Sequence, residues 1–244
     1  MCSSDLEADE VMQRLPHDAR DGHLRHHAED DDLWSAAHVH GLASPLAGKR
    51  VRLRACAVWN WTQHWRPVQF RGHTYTWSKH FEFLKFIDLP RRTTQPLELA
   101  LSSYTDDDKA MLEGHGWHVC HGLDVSTDMD IYRRYIAESR GEFTVAKDQN
   151  VRLRSGWFSD RGATFLAAGR PVITQETGFS NVLPTGAGLF GFSTMDDILS
   201  AIDAMNRDYA GQCAAARKVA RECFGHDVVL GRMLRELGVE PVIS

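Results

Sequence analysis

From Val51 onward, short apolar runs alternate with stretches whose apolar residues recur every three or four positions, and polar turns separate the two. Runs of the first kind suit strands buried on both faces, and the second spacing suits helices laid over them. Their alternation predicts an α/β fold, a Rossmann-like parallel sheet flanked by helices. Ala55-Cys56-Ala57-Val58 reads as a first strand, ending in Trp59-Asn60-Trp61. The aromatic run through Tyr75 and Trp77 leads into a helix over about 78–87, closed by Pro90. Leu97 to Leu101 is a second strand, and a helix over about 106–113 starts on carboxylates and stops at Gly114 and Gly116. Val119-Cys120 is a short third strand. A helix over about 128–138, carrying Ile131, Tyr135 and Ile136, precedes a fourth strand from Glu142 to Ala146.

The segment from Ser155 to Gly178 reads as a polar loop, a helix, a tight turn and a buried strand. Phe158, Phe165 and Leu166 fall at helical spacing, Gly169 ends the helix, and Pro171-Val172-Ile173 opens the strand. Farther on, Leu189 to Phe192 is a strand, and Ser193 or Thr194 caps a helix with Ile198, Ile202 and Met205 on one face. A following helix presents Cys213, Ala216, Ala220 and Cys223 and stops near Gly225. A last helix carries Leu230, Leu234 and Leu237. No internal repeat is present.

Ligands of open α/β sheets lie beyond the carboxyl ends of the strands, and a helix whose first amides face such a loop attracts phosphate. Lys147, Arg152, Arg154 and Arg161 concentrate positive charge beside this segment, so a diphosphate is the expected ligand. Arg154 and Arg161 are its principal expected contacts. Ser155 offers a cap and Gly156 an open backbone approach at the helix start. Thr177, Gly178, Phe179 and Ser180 form the loop after the next strand, and Asn60 follows the first strand. Each has a plain structural alternative: Ser155 as an ordinary cap, Gly178 as a left-handed turn, the arginines as a solvated helix face. Trp59, Trp61, Trp65 and Trp77 are read as core or interface residues. His64, His73 and His80 are isolated, and no catalytic base is assigned.

A chain of 244 residues with 43% apolar content holds one substantial core, which excludes a large multidomain enzyme. A net charge of -5 argues against general nucleic-acid affinity, and no apolar run reaches the roughly 18 residues that span a bilayer. Cys2, Cys56, Cys120, Cys213 and Cys223 are odd in number and lack paired spacing, so they are read as reduced in a cytoplasmic protein. Residues 1–50 crowd His17, His23, His26, His27, His38 and His40 among arginines and aspartates without periodicity. They are read as a poorly defined segment, either disordered or artefactual, since Met1-Cys2-Ser3-Ser4-Asp5-Leu6 matches a translated sequencing adapter. Residues 51–225 form the expected Rossmann-like domain, and 226–244 a carboxyl-terminal helix.

The run Arg161-Gly162-Ala163-Thr164 through Ala168-Gly169-Arg170-Pro171-Val172, then Thr177-Gly178, the capped helix and His226-Asp227, resembles the carboxyl-terminal half of GT-B glycosyltransferases. The resemblance spans roughly Val51 to Leu237 and is to bacterial proteins related to spore-maturation glycosyltransferases. It implies a domain that grips a nucleotide diphosphate sugar as donor substrate, with no metal and no further cofactor. It also implies an acceptor-holding half outside this chain, which is then a fragment of a longer protein with an unknown acceptor. Many retaining relatives place two glutamates eight positions apart where this chain has Gly156 and Thr164, and Asp160 is read either as the candidate substitute carboxylate for the ribose contact or as a solvated carboxylate of the first helical turn. Two other readings stay open: a non-catalytic Rossmann-like binding or interaction module, and a sugar-nucleotide epimerase of the same fold.

Overall fold

A computed structural model of the chain describes residues 52–56, 61 and 67–239. In chain order, β1 (Leu53–Cys56) is followed by a hairpin of β2 (Val68–Phe70) and β3 (His73–Tyr75), two short helices, α1 (His80–Leu84) and α2 (Leu89–Arg92), and β4 (Leu97–Leu101). Next come α3 (Asp106–Gly114), β5 (His118–His121), α4 (Met129–Ala137), β6 (Gly141–Thr144), α5 (Asp148–Arg152), α6 (Asp160–Ala167) and β7 (Val172–Gln175). The chain continues through β8 (Leu189–Phe192), α7 (Met195–Arg207), α8 (Tyr209–Phe224) and α9 (His226–Glu236).

Six strands form one sheet in the order β5-β4-β1-β6-β7-β8, every neighbouring pair parallel. Winding starts at β1, runs outward through β4 to β5, then returns to β6 on the other side of β1 and proceeds to β8. This is the Rossmann-like arrangement, whose reversal of winding lies between β1 and β6 and opens a crevice at their carboxyl ends.

Both faces of the sheet are covered because its strands alternate between two apolar cores. Phe143, Ile173, Phe190 and Phe192 enter one core with Phe83, Phe86, Trp117, Ile198, Ile202 and Met205. Val172 and Leu189 enter the other with Phe165, Leu166, Phe179, Ala216 and Ala220. Phe143 and Phe192 stack with centroids 5.4 Å apart, next-but-one neighbours across β7. Helix starts follow local chemistry: Thr105 with Asp108, and Thr194 with Asp197, form reciprocal capping boxes at α3 and α7.

Three expectations are corrected. The helix expected over 78–87 is shorter, His80–Leu84, and a second short helix follows it; Pro90 sits in the first turn of that α2, where its missing N–H costs nothing, rather than closing the unit. The aromatic run before it contains the β2–β3 hairpin, whose two-residue turn places Arg71 at φ 50° and Gly72 at φ 74°, the doubly positive geometry that matches strand twist. The carboxyl-terminal helix expected over 226–244 ends at Glu236, as α9, which has no buried residue; Leu230 within it and Leu237 just after it are exposed. Among the described residues, no helix is long and apolar enough to cross a membrane.

Candidate functional site

β6 ends at Thr144, and Val145 and Ala146 continue buried to Lys147, which precedes α5. α1 is fastened beside this edge by a buried relay. Gln175 at the end of β7 donates to Glu82 of α1 (2.7 Å) and accepts from the Ala146 N–H (3.0 Å), and Lys85 closes on the other Glu82 oxygen (2.6 Å). The relay fixes the position of Lys79, one residue ahead of α1. Lys79 is buried, with its ammonium 4.9 Å from the centre of the Trp157 ring. Burial lowers its pKa to about 7, with the Arg161 charge adding to the effect, Glu142 opposing it and Lys147 adding again. Lys147 lies 3.7 Å over the Trp77 ring, and burial lowers its pKa as well. Two ammonium groups, each set against an indole, thus stand at the carboxyl edge of the sheet by the winding reversal.

The hairpin is tied to the same edge. Asp148 accepts from the Thr76 N–H at 3.0 Å, Arg152 donates to the Thr74 carbonyl at 2.8 Å, and the Arg152 guanidinium stacks on Tyr75 at 4.3 Å. Arg152 therefore holds the hairpin in place.

Arg161 has a different role from the one its place in the sequence suggests. Its Nε donates to Glu142 Oε1 at 2.6 Å and its Nη2 to Thr144 Oγ1 at 3.3 Å, so it neutralises a carboxylate that is 0% exposed on β6. The second Glu142 oxygen has no hydrogen-bond partner among the described residues. Arg154 is exposed at φ 48°, with its Nη2 4.0 Å from Glu176 Oε1. The two arginines are thus held by different carboxylates.

The expected helix start also moves. Ser159, not Ser155, caps α6 by accepting from the Gly162 N–H at 3.3 Å. Ser155 and Gly156 lie in the exposed loop before it, where Ser155 donates to Asn150 Oδ1 at 3.1 Å and Gly156 adopts φ 75°. Asp160 is in the first turn of α6, exposed, and accepts from the Arg161 N–H at 2.9 Å.

The loop after β7 is tied to the loop that precedes α6. The Gly156 N–H donates to the Thr177 carbonyl at 2.8 Å, and the Thr177 hydroxyl donates to the Trp157 carbonyl at 2.6 Å. Gly178 takes φ 95°, and a Cβ there would stand 3.0 Å from the Arg154 carbonyl oxygen, so the turn role applies. Phe179 is fully buried against Phe158 and belongs to the core, while Ser180 is exposed. Asn60, with Trp59, Trp65 and His64, lies outside the described residues. Trp61 is core, His73 is exposed in the hairpin, and His80 pairs with Ser78 at 2.6 Å.

The sequence pattern singles out Lys147 beside this edge of the sheet, and it does not single out Lys79, Trp157 or Glu142, which the fold places near it. A buried lysine gives no periodic signal. The one available hint was Lys79 standing ahead of a helix that follows the first strand, where a parallel sheet opens toward its ligand.

No family model and no curated protein matches the chain. Among solved structures, that of TarM is similar at 12% identity and a TM-score of 0.45, over 66% of this chain and 33% of that one. The chain thus spans about a third of TarM's length.

Proposed function

We propose that this chain is the donor-binding half of a GT-B glycosyltransferase, which transfers a sugar from a nucleotide diphosphate sugar to an acceptor held by another half. The observation that carries the reading is the pair Lys79 and Lys147 at the carboxyl edge where winding reverses. A departing nucleoside diphosphate develops negative charge there, and lysine side chains held beside it stabilise that charge. The resemblance through Arg161–Val172 and Thr177-Gly178 supports the same assignment.

In this reading, Lys79 and Lys147 contact the diphosphate, the exposed Ser155-Gly156 backbone approaches it, and Arg154 completes its charge. Asp160 meets the ribose. Arg161 sets the loop rather than touching the ligand, and Thr177 and Gly178 hold that loop in register.

The Gly156 and Thr164 positions and the engagement of Arg161 by Glu142 favour a second reading, a non-catalytic module that keeps nucleotide binding without transfer. Calorimetry with nucleotide diphosphate sugars separates binding from none: saturable binding that Lys147→Ala weakens at least tenfold is expected, and no binding rejects the reading. Product analysis with the partner half supplied then separates a transferase from an epimerase, which would return an isomerised donor without an acceptor.

A further inference from the structure

Every residue from Pro67 to Thr74 is exposed, and Tyr75 is the first of the β2–β3 hairpin to be buried. Two antiparallel strands are marginal by themselves, so the position of this hairpin depends on what grips its base. The grip is a continuous seam. Arg152 donates to the Thr74 carbonyl at 2.8 Å and stacks on Tyr75 at 4.3 Å, and Asp148 accepts from the Thr76 N–H at 3.0 Å. The Lys147 ammonium then stands 3.7 Å over the Trp77 ring. Successive residues from Thr74 to Trp77 thus meet the chain from Arg152 back to Lys147, and Arg152 lies 3.4 Å from Asp148, which joins the two anchors within α5. The seam ends on the lysine that the diphosphate reading places against the ligand.

A hairpin buried only at its base belongs to the least stable part of a fold and opens locally. Opening takes both the Thr76 bond and the Trp77 ring away from the start of α5, and returns to Lys147 the rotamer freedom of a surface lysine. In the closed state the ring restrains one side of the ammonium. The side chain is half-buried, so its other N–H donors can meet a phosphate oxygen without loss of the ring contact. A phosphate ligand therefore binds the closed state better, and a ligand raises the population of the state it binds better. On the diphosphate reading above, we propose that the β2–β3 hairpin is a flap that closes when a nucleoside diphosphate engages Lys147, with Asp148 and Arg152 as the positioning residues that couple the two. Neither touches the ligand. Asp148 sets Thr76 and Trp77 against the lysine, and Arg152 ties β3 to the far end of α5. The coupling is reciprocal: bound nucleotide holds the hairpin shut, and a weakened seam lowers affinity for nucleotide.

The test is amide hydrogen exchange of the full chain with and without ADP, GDP and UDP in turn, after titration calorimetry has given each affinity so that the site is saturated. With nucleotide, the amides of Val68–Tyr75 are expected to exchange about threefold more slowly or better, while those of α9, which takes no part in the seam, keep their rates. Asp148→Ala removes the Thr76 bond and leaves Lys147 and Trp77 in place. It is expected to lower affinity by about threefold to tenfold and to lose most of the slowing, with the parent's unfolding transition retained. Arg152→Ala, which parts the other end of the seam, is expected to do the same. A purely structural role for these residues would speed hairpin exchange by one ratio with and without nucleotide, and would leave affinity at the parent value. Nucleotide that binds the parent chain without slowing the hairpin, or that slows it equally in both variants, overturns the coupling and leaves the diphosphate site standing. Failure of every nucleotide to bind the parent chain rejects the site and the coupling together.

Discussion

Arg161 and Lys147 carry the same charge near the same strand end, and their removal is expected to act differently, one mainly on stability and the other mainly on binding. Arg161→Ala strands a fully buried Glu142 without its counter-ion and is expected to cost about 3–5 kcal/mol of stability in urea unfolding. Lys147→Ala removes a half-buried ammonium from the Trp77 face and is expected to cost about 1 kcal/mol or less while weakening nucleotide binding. Lys79 also leaves a signature in the pH dependence of folding. The unfolded chain holds this proton up to the ordinary lysine value of 10.5 and the folded chain only to about 7, so unfolding takes up a proton between those limits. The lysine's contribution to stability therefore rises with pH from about 7 to 10.5 and is flat below and above. In parallel unfolding curves, the stability of Lys79→Met relative to the parent is expected to be highest near pH 6 and to fall through this window. Lys147 is visible in the linear pattern as one of a cluster of cations, whereas the roles of Arg161 and Lys79 are not. Glu142 reads as the first residue of an apolar strand, and only its pairing register beside β7 sets it beneath the first turn of α6. Lys79 reads as one polar residue at the start of a helix.

Among the elements, β4 and β8 match the runs Leu97–Leu101 and Leu189–Phe192 residue for residue, because short, mainly apolar runs bounded by polar turns are the pattern of a buried strand. α7 was equally legible from its Thr194 cap and its Ile198, Ile202 and Met205 stripe. The hairpin was not, since Arg71-Gly72 lacks the asparagine or glycine usual at the first position of such a turn. The α6 cap was misplaced because Ser155 and Ser159 both precede the helix, and the apolar pair Trp157-Phe158 between them belongs to the loop. Three measurements act at this scale. Leu166→Ala in α6 is expected to cost about 2–5 kcal/mol, whereas replacing the exposed Leu230 and Met233 of α9 with serine changes stability by about 0.5 kcal/mol or less per site. Arg152→Ala removes both the Thr74 bond and the Tyr75 stack, so the amides of Val68–Tyr75 are expected to exchange faster with deuterium while those of β4 keep their rates. Gly188→Ala is expected to be more damaging than Gly178→Ala. Both need a left-handed backbone, but a Cβ at Gly188 also runs into the α8 backbone at Ala215 and Ala216.

At the scale of the whole molecule, the alternation of strands and helices determined the α/β class. The strand order lies beyond such a reading, since short parallel strands carry no mark of their neighbours. That order converts scattered cations into a site: it sets β6 beside β1, so that the chain after β6 and the helix that follows the hairpin meet at one edge. The most direct measurement is a crystal structure of the chain grown with a saturating nucleoside diphosphate. The expected result is a diphosphate at the carboxyl ends of β1 and β6, with the Lys79 and Lys147 ammonium groups within hydrogen-bond distance of its oxygens. A nucleotide seated elsewhere on the molecule, or one at this edge that touches neither lysine, contradicts it.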